Sequence, residues 1–426
     1  MTFERTLAYA RARDGSDALA PFRGRFARPR GADGNELVYL CGHSLGLQPL
    51  LARQRIDEEL DDWASLAVRG HEAARRPWIP YHEFLAHGLA TLAGALPGEV
   101  VAMNSLTVNL HLMLASFYRP DQARTRILVE ANAFPSDRHA LASQIAWHGL
   151  DPRAELLELA PASGSGSDEV TTAQIEYFLQ QRGAQIALVL WPGTQYLSGQ
   201  VFDLPRIAAA ARKAGCAVGF DLAHSIGNVP LSLHDSGADF AVWCSYKYLN
   251  AGPGAIGGCF VHERHARSSA LPRLAGWWGH DPATRFAMGP DFDPAAGAAG
   301  WQISNPSILS AAPLLASLEL FAEAGLAHLR AKSVALTGYL AYLLESLPVQ
   351  VVTPTEAQAR GCQLSLRMGR DAQHGRAVFA ALQQAGMVCD WREPDVIRAA
   401  PVPLYNSFED VFRFATALAT VLQGLR

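Results

Sequence analysis

Residues 216–250, CAVGFDLAHSIGNVPLSLHDSGADFAVWCSYKYLN, contain two short apolar runs that each end in polar side chains. The first run, AVGF, ends at Asp221, and the second, FAVWCS, ends at Tyr246 and Lys247. Short runs rich in Val, Phe and Ala and bounded by Gly, Pro or Asp are typical of buried strands. Ligands bind at the carboxyl ends of the strands in open α/β sheets, so Asp221 and Lys247 are the first candidates for a site.

Strand-like runs and helical segments alternate on both sides of this stretch. The runs RILVEANAF and IALVLWPG precede it and GAIGGCFVH follows it, while TAQIEYFLQQRG and DLPRIAAAARKAG carry helical patterns. The second helical segment opens on an aspartate that can cap a helix and closes on glycine. Alternating strands and helices predict an α/β fold with a mainly parallel central sheet that helices cover on both faces.

The pattern changes near residue 310, where long helical stretches and then the shorter runs QLSLRM, MVCDWR and VIRAAPV replace the alternation. This change predicts a smaller α+β domain, and a chain of 426 residues is long enough for two domains. We therefore expect a large domain at 46–310 and a small domain at 311–426, with a helix running across the boundary. Residues 1–45 are expected to join the small domain, and PASGSGSDE at 161–169 to form a loop within the large one.

Composition and charge argue against several classes of function. A formal charge of −4 with 18% charged residues provides no broad basic field for nucleic acid. No apolar run approaches the roughly 20 residues that cross a bilayer, and the first residues do not resemble a signal peptide, so a cytoplasmic location is expected. The six cysteines show no CxxC pairing, which argues against a zinc site or a disulfide framework, and we expect no metal.

An amine and a carboxylate at neighbouring strand ends are what pyridoxal 5′-phosphate (PLP) requires. The lysine forms a Schiff base with the cofactor, and the aspartate keeps the pyridine nitrogen protonated so that the ring accepts electrons. Ser105 to Thr107 begin an apolar helix whose free N–H groups and dipole favour a phosphate. Phe134 directly follows a predicted strand and offers an aromatic face for the cofactor ring. The combination predicts a PLP enzyme with Lys247 as the Schiff-base lysine.

Each of these residues also has an ordinary structural interpretation. A lysine at a strand end is usually only solvated, and an aspartate there often caps a helix. Ser105 and Thr107 are suited to a simple helix cap, and Phe134 is suited to a hydrophobic core. The prediction therefore depends on the conjunction of these residues and not on any one of them.

A series of motifs, in this order along the chain, resembles the kynureninase family. The motifs are YLCGHSLGLQP, GHEAARRPW, NSLTVNLHLM, EANAFPSD, VGFDLAHSIGNVPL, WCSYKYLNAGPG, GWWGH, ISNPS and RAAPVPLYNSFEDVFRF. The resemblance covers nearly the whole chain from about residue 39 and implies a PLP-dependent enzyme of fold type I, similar to class V aminotransferases. It also implies a homodimer with the active site at the interface.

The reaction that the resemblance implies is hydrolysis of L-kynurenine, or of its 3-hydroxy form. The products would be anthranilate, or 3-hydroxyanthranilate, and L-alanine, within tryptophan catabolism and NAD biosynthesis. The residues of this sequence do not discriminate between the two substrates.

The resemblance assigns cofactor contacts residue by residue. It implies that Lys247 forms the Schiff base, that Asp221 bonds to the pyridine nitrogen and that His224 lies beside it. The other cofactor contacts that it implies, some of them from the partner subunit, are Leu106, Thr107, Phe134, Pro135, Ser136, Asp137, Tyr246, Trp277 and Asn305.

Substrate contacts and catalytic roles follow from the same resemblance. Arg398 is expected to bind the substrate α-carboxylate in a bidentate pair. Lys247 would take the Cα proton, and Tyr246 would act as the base when water adds to the γ-carbonyl. The residues implied at the pocket for the aryl group are Ser44, His71 and Asn305.

Two positions depart from the family pattern. Gly42-His43-Ser44 stands where Gly-Asn-Ser is expected, so either an extra imidazole lies near the pocket or His43 only supports the turn. Pro192 stands near the place where a small hydroxyl residue is expected to help bind phosphate, and Thr194 could substitute for it.

Two alternative functions remain open from the sequence. The nearest is another fold-type I enzyme, such as a cysteine desulfurase or an aminotransferase. A desulfurase needs a reactive cysteine on a mobile loop, whereas Cys362 and Cys389 lie in apolar, strand-like segments typical of buried thiols. The second alternative is a non-catalytic protein with the same fold, against which Lys247, Asp221 and Arg398 argue together.

Overall fold

The structure of the protein, a computed structural model, describes residues 3–162, 169–266, 271–369 and 371–425. Most of the segment PASGSGSDE, expected to be a loop, lies outside the described residues. The strands in these ranges are β1 (Val38–Tyr39), β2 (Val100–Ala102), β3 (Arg126–Glu130), β4 (Leu156–Leu159), β5 (Ile186–Pro192), β6 (Ala217–Asp221), β7 (Phe240–Trp243), β8 (Gly258–Val261), β9 (Gln350–Val351), β10 (Leu364–Arg367), β11 (Met387–Val388), β12 (Asp390–Arg392) and β13 (Val396–Ala399). The α-helices are α1 (Leu7–Gly15), α2 (Leu50–Leu66), α3 (Gly70–Ala73), α4 (Tyr81–Ala93), α5 (Leu106–Phe117), α6 (Pro135–Trp147), α7 (Pro152–Glu155), α8 (Thr172–Arg182), α9 (Leu204–Lys213), α10 (Leu233–Ser236), α11 (Ile308–Ala324), α12 (Leu326–Leu344), α13 (Ala372–Gln384) and α14 (Phe408–Gly424).

Seven strands form the central sheet, in the spatial order β2-β8-β7-β6-β5-β3-β4. The strands from β7 to β4 pair in parallel, whereas β8 is antiparallel to both β7 and β2. From Leu188 to Trp191 the side chains of β5 alternate between two buried cores: Val189 packs in one and Leu190 in the other. This alternation is what a parallel sheet covered on both faces requires. The predicted α/β fold with a mainly parallel sheet is confirmed.

Helices α8 and α9 show how the local sequence determines the elements around the sheet. The side chain of Thr171 accepts a hydrogen bond from the backbone N–H of Gln174 to cap α8, and Asp203 caps α9 in the same way. The buried residues of α9 follow the spacing of one helical face and are Leu204, Ile207, Ala208 and Ala211. Both helices lie where their capping residues and apolar spacing predict them.

A second core lies in the C-terminal part of the chain. A four-stranded antiparallel sheet in the order β12-β13-β10-β9 shares this core with α12, α13 and α14. The strand pair β1-β11 and helix α1 add N-terminal residues to it, among them Val38 and Ala10. This part of the molecule therefore combines helices with antiparallel strands, which is the pattern that the sequence predicts.

The long helical stretch that begins near residue 310 is broken at Gly325. This glycine has a φ of +74°, a backbone region that residues with a Cβ rarely adopt, and α12 leaves α11 at an angle of 82°. Leu314 and Leu318 of α11 pack in the core of the large sheet, whereas α12 packs in the second core from Leu336 onward. The division of the chain at residue 310 stays a prediction. Within the described ranges no single helix combines the length and the apolar composition that crossing a membrane needs, and α11 with α12 does so only as this bent pair.

The carboxyl ends of four parallel strands meet at one edge of the central sheet. These strands are β3, β5, β6 and β7, and the first three end at Glu130, Pro192 and Asp221. The segment from Cys244 to Lys247 directly follows β7 at the same edge. The sheet therefore brings together the residues that the sequence predicts for the site.

Candidate active site

A cavity of about 160 Å³ lies at this edge of the sheet. Residues from the starts of α5 and α6, the end of β6 and the segment after β7 line it. The predicted site residues among them are Leu106, Thr107, Phe134, Ser136, Asp137, Asp221, His224, Tyr246 and Lys247. The structure therefore assembles most of the predicted cofactor contacts in a single cavity.

The amine of Lys247 contacts a buried imidazole. Its Nζ lies 3.1 Å from Nε2 of His224. Burial lowers the pKa of His224 well below its ordinary value, and the positive charge of Lys247 lowers it further. The imidazole is therefore neutral, so its Nε2 accepts the hydrogen bond from Lys247. Its other ring nitrogen, Nδ1, is buried and has no hydrogen-bond partner among the described residues.

Two buried carboxyl groups, Asp137 and Asp221, lie next to each other in the cavity. Burial raises the pKa of both, and the neighbouring carboxylate raises that of Asp137 further. One oxygen of Asp221 accepts a hydrogen bond of 2.7 Å from the backbone N–H of Ala223. Oδ1 of Asp137 is buried without a hydrogen-bond partner in the described part of the chain. Because two adjacent buried acids oppose each other's ionisation, the pair favours a cationic N–H group bound beside it.

Helices α5 and α6 both begin at the cavity. Neither Ser105, which precedes α5, nor Phe134, which precedes α6, caps its helix with a side-chain hydrogen bond. Thr107 and Ser136, in the first turns of the two helices, place their hydroxyl oxygens 2.8 Å apart. Uncapped N–H groups, helix dipoles and two hydroxyl groups together form a site for an anion such as phosphate.

The ring of Phe134 faces Lys247 across the cavity. The Lys247 Nζ lies 5.8 Å from the centroid of this ring, and Tyr196 packs edge-on against it at 5.3 Å. Phe134 is 41% exposed although it is a large aromatic residue, so it is not a core side chain. Pro135 fixes the backbone at the start of α6 directly behind it. The arrangement leaves an open aromatic face beside the amine, where a flat ring can stack.

These features match the parts of PLP one by one. The amine of Lys247 can react with the aldehyde of the cofactor, and the carboxyl pair can bind the protonated ring nitrogen. The two helix starts can bind the phosphate, and Phe134 can stack on the ring. The unpartnered polar atoms of Asp137 and His224 are the strongest observation, because buried polar atoms are rarely left without a hydrogen bond unless a ligand supplies it. The residues present therefore fit this cofactor.

Tyr246 lines the cavity beside Lys247 as a neutral phenol. Burial raises its pKa above the ordinary value, and the nearby Cys244 raises it further. A tyrosine that holds its proton this firmly donates hydrogen bonds at neutral pH and is a poor base. The role of Tyr246 as a base stays a prediction, and its protonation state favours a donor role instead.

Arg398 lies in the second core, beside the cavity and not in its wall. It is 1% exposed, and its guanidinium bonds to Asp390 through Nε and Nη2, each at 2.8 Å. Nη1 donates to the backbone oxygen of Tyr196, which itself lines the cavity, at 2.6 Å. The positive charge of Arg398 is close enough to His224 to lower the pKa of that imidazole.

Four other predicted contacts do not line this chain's own cavity. Trp277 is 44% exposed and donates from Nε1 to the backbone oxygen of Arg285, and Asn305 is exposed. His71 is exposed on α3 with its ring edge-on to Trp78, and Ser44 lies in the turn after β1. Ser44 is nevertheless close to the site, because Gly46, two residues after it, donates a backbone hydrogen bond of 2.8 Å to the carbonyl oxygen of Tyr246.

The two departures from the family pattern have different surroundings. His43 is completely buried outside the cavity wall, with its Nε2 3.9 Å from Oδ1 of Asp390. It is therefore not an extra imidazole in the pocket. Pro192 and Thr194 both line the cavity, and the hydroxyl of Thr194 lies 2.8 Å from that of Ser225. Thr194 thus offers a hydroxyl where Pro192 cannot.

Glu130 lines the cavity and is not among the residues that the sequence analysis selected. Burial raises its pKa to about 7, and its Oε2 has no hydrogen-bond partner among the described residues. The signal that selected Asp221, a carboxylate at the end of a buried strand, applies equally to Glu130. Asp390 is also missed, and no local pattern marks it because its partner Arg398 faces it from the next strand.

Sequence comparisons identify relatives of nearly the same length. A family model described as the kynureninase C-terminal domain matches residues 329–418. A kynureninase of Xanthomonas euvesicatoria pv. vesicatoria is 57% identical over 410 residues, which are 96% of this chain and 96% of the relative. A kynureninase of Myxococcus xanthus is 55% identical over 419 residues, which are 98% of this chain and 97% of the relative.

Solved structures with the same fold are more distant in sequence. A variant of the enzyme C-DES with glycine covalently linked to its PLP cofactor has a TM-score of 0.75 at 20% identity, covering 90% of this chain and 96% of that chain. A cysteine desulfurase from Thermococcus onnurineus has a TM-score of 0.74 at 18% identity, covering 91% of this chain and 95% of that chain. At these identities the likeness concerns the fold, which is the fold-type I architecture expected from the sequence.

Proposed function

The chain belongs to the kynureninase family, and from that premise we propose that its reaction takes place in the cavity around Lys247. The enzyme hydrolyses L-kynurenine to anthranilate and L-alanine with PLP as its cofactor. The contact of 3.1 Å between Lys247 Nζ and neutral His224 carries the assignment of the cavity, because it holds an amine beside a buried carboxyl pair and an anion site.

Bound PLP supplies an electron sink that makes the substrate's Cα–H acidic and allows its Cβ–Cγ bond to break. Asp221, with Asp137 beside it, holds the proton on the ring nitrogen. The helix starts at Thr107 and Ser136 bind the phosphate, and Phe134 packs against the ring. Lys247 holds the cofactor in the resting enzyme and, once its amine is free, moves a proton at Cα.

Tyr246 is assigned to the second half of the reaction, in which water adds to the γ-carbonyl of the substrate. The carbonyl oxygen becomes negatively charged at this step, and a neutral phenol can donate a hydrogen bond to it. The raised pKa of Tyr246, caused first by burial, keeps that proton available. We therefore assign Tyr246 to stabilisation of this oxygen instead of water activation.

Arg398 is assigned to the substrate α-carboxylate. Its guanidinium lies directly behind the backbone of Tyr196 in the cavity wall, and its charge is felt at His224. Because Arg398 is almost fully buried, the Tyr196 segment or the smaller domain must shift to let a carboxylate reach it. This motion would give the proposed division into a large domain at 46–310 and a small domain at 311–426 a functional role.

A direct test of the reaction is to incubate the purified enzyme with L-kynurenine and measure both products. We expect anthranilate fluorescence to appear together with an equimolar amount of L-alanine, without any added oxo acid. An aminotransferase would need an oxo-acid acceptor, and a result that required one would contradict the assignment. Parallel steady-state kinetics with 3-hydroxy-L-kynurenine would establish which of the two substrates is preferred.

The two cysteines considered for a desulfurase reaction are not suited to act as its nucleophile. Cys362 is buried, and burial raises the pKa of its thiol to about 12. Cys389 is also buried, and its pKa is raised for the same reason. Reactive cysteines are partly exposed and have lowered pKa values, so neither thiol is suited to sulfur transfer.

We further propose that two copies of the chain share their sites in a homodimer. Trp277, Asn305 and His71 are exposed and do not line their own cavity, which supports a role in a neighbouring copy. Exposed apolar side chains lie near two of these residues: Met288, 74% exposed, lines a surface pocket with Trp277, and Val68, 75% exposed, is three residues before His71 in the chain. Exposed apolar groups at such positions are typical of interaction surfaces.

Complementation between inactive subunits tests the shared site. In a mixed dimer, purified through two different tags, one subunit carries Lys247→Ala and the other carries Trp277→Ala with Asn305→Ala. One of its two sites then contains only native residues, so we expect roughly half of the wild-type activity per dimer.

The matched control combines Lys247→Ala with Asp221→Ala. Both of these residues line the same cavity, so the mixed dimer has no intact site and should stay inactive. An inactive first pair would contradict the shared site, since it would mean that Trp277 and Asn305 serve the cavity of their own subunit.

A further inference from the structure

Asp390 and Arg398 form a two-pronged ion pair on neighbouring strands. They face each other in the antiparallel register of β12 and β13. Nε of Arg398 donates to Oδ1 of Asp390 and Nη2 donates to Oδ2, both at 2.8 Å. Such a fork fixes the plane of the guanidinium as well as its position. The pair is therefore suited to aim Arg398 and not only to neutralise it.

The guanidinium keeps donors that these bonds do not use. Nη1 donates one hydrogen bond to the Tyr196 carbonyl, and Nη2 donates one to Asp390. Each terminal nitrogen of arginine carries a second N–H group, so one donor on each remains for another acceptor. A second carboxylate can take both of them at the Nη1–Nη2 edge while Asp390 holds the adjacent Nε–Nη2 edge.

The local charge also leaves room for one more carboxylate. Asp390 accepts a second guanidinium, that of Arg392, with Nη2 at 3.1 Å from Oδ2. Burial opposes ionisation of Asp390, but the neighbouring His43 and Arg398 outweigh it, and the pKa of Asp390 lies below its ordinary value. Two guanidinium groups around one carboxylate leave a net positive charge, which matches a single substrate carboxylate.

His43 completes this arrangement from the other side of Asp390. It is completely buried, and its Nε2 lies 3.9 Å from Oδ1 of Asp390. Burial lowers the pKa of His43 to about 3, and the charge of Arg398 contributes, so the imidazole is neutral near pH 7. A neutral ring fills the space without competing as a cation for the carboxylate that holds Arg398.

We propose that Asp390 is a positioning residue that presents Arg398 to the substrate α-carboxylate. This inference rests on the proposed role of Arg398. Asp390 itself touches neither the cavity nor the substrate. It holds one side of a buried guanidinium so that the free N–H groups keep one direction.

The test is the variant Asp390→Asn in the PLP-loaded enzyme. An amide accepts with one oxygen only, so the fork is lost and the guanidinium can rotate. We expect KM for L-kynurenine to rise about tenfold or more, with kcat within about twofold and the cofactor's visible absorbance unchanged. The matched control is Asp395→Asn, which removes an ion pair of 3.1 Å with Arg367 in the same small sheet and should leave KM unchanged.

Kynuramine is kynurenine without its α-carboxylate. Its binding therefore distinguishes a loss of Arg398 orientation from general damage to the active site. We expect its inhibition constant to be the same in wild type and in Asp390→Asn, because the lost orientation concerns only the carboxylate. A structural defect would weaken both molecules alike and would overturn the proposal. If Asp390→Asn does not fold, Asp390→Glu keeps the charge but displaces the fork, and it should show the same selective rise in KM.

The outcome also separates this inference from the assignment on which it rests. If Arg398→Ala leaves KM unchanged, the role of Arg398 itself is wrong. If Arg398→Ala raises KM while both Asp390 variants bind L-kynurenine as wild type does, only the positioning role of Asp390 is overturned.

Discussion

Replacing Lys247 with alanine is expected to lower turnover of L-kynurenine by more than about 1000-fold and to remove the visible absorbance band of the bound cofactor. The side chain has two tasks, covalent attachment of PLP and proton movement at Cα, and alanine can perform neither. The contact of 3.1 Å between Lys247 and His224 also disappears, so the buried imidazole loses this hydrogen bond. Steady-state kinetics and an absorbance spectrum measure the two effects separately.

Lys213→Ala is the matched control for this variant. Lys213 is exposed in the last turn of α9, and its removal should leave both activity and absorbance unchanged. Partial recovery of Lys247→Ala by a small added amine would support the proton-transfer role. A Lys247→Ala enzyme that kept both its turnover and its absorbance band would contradict the assignment of this cavity as the active site.

Replacing Arg398 with alanine is expected to raise KM for L-kynurenine roughly 100-fold, which corresponds to about 3 kcal/mol for two charge-assisted hydrogen bonds. The effect should fall mainly on KM, because the contact to a carboxylate is present in the ground state and in the transition state alike. The absorbance of the bound cofactor should not change, since Arg398 lies outside the cavity wall. Titration with kynuramine should show no comparable loss.

This substitution also removes the principal partner of the partly buried Asp390 and leaves only its longer contact with Arg392, which weakens the fold. Arg398→Lys avoids that problem, because it keeps the charge and loses only the fork, and it should still raise KM. Arg392→Ala removes the second, partly exposed guanidinium on Asp390 and should have a much smaller effect. Equal effects of the Arg392 and Arg398 variants would contradict a specific carboxylate contact.

The chemistry of individual side chains made much of the site predictable. Asp221 and Lys247 end buried strands, and Thr107 and Ser136 lie in the first turns of apolar helices, so each is marked by its local surroundings. Parallel strands bring their carboxyl ends to one edge, which is why residues far apart in the chain converge without any further information. The same reasoning, applied to the end of β3, also selects Glu130 as a site residue.

Contacts between segments that are distant in the chain could not be predicted from local sequence patterns. Asp390 and Arg398 are paired by the register of two antiparallel strands, and nothing in the apolar runs around them indicates that register. The break of the long helical stretch at Gly325 depends on packing against two different cores. Trp277 and Asn305 are exposed in the single chain, so their proposed place in a neighbouring copy cannot be read from either the local sequence or one subunit.

By itself the sequence determined the fold class and the cofactor and predicted the residues that face this cofactor, because strand periodicity, helix capping and reactive side chains are local properties. The tertiary structure decided the protonation states and the pairings, because these depend on burial and on neighbours from other segments. Burial makes His224 a neutral acceptor for Lys247 and keeps the proton on Tyr246. Strand pairing gives Arg398 the carboxylate that holds it in place.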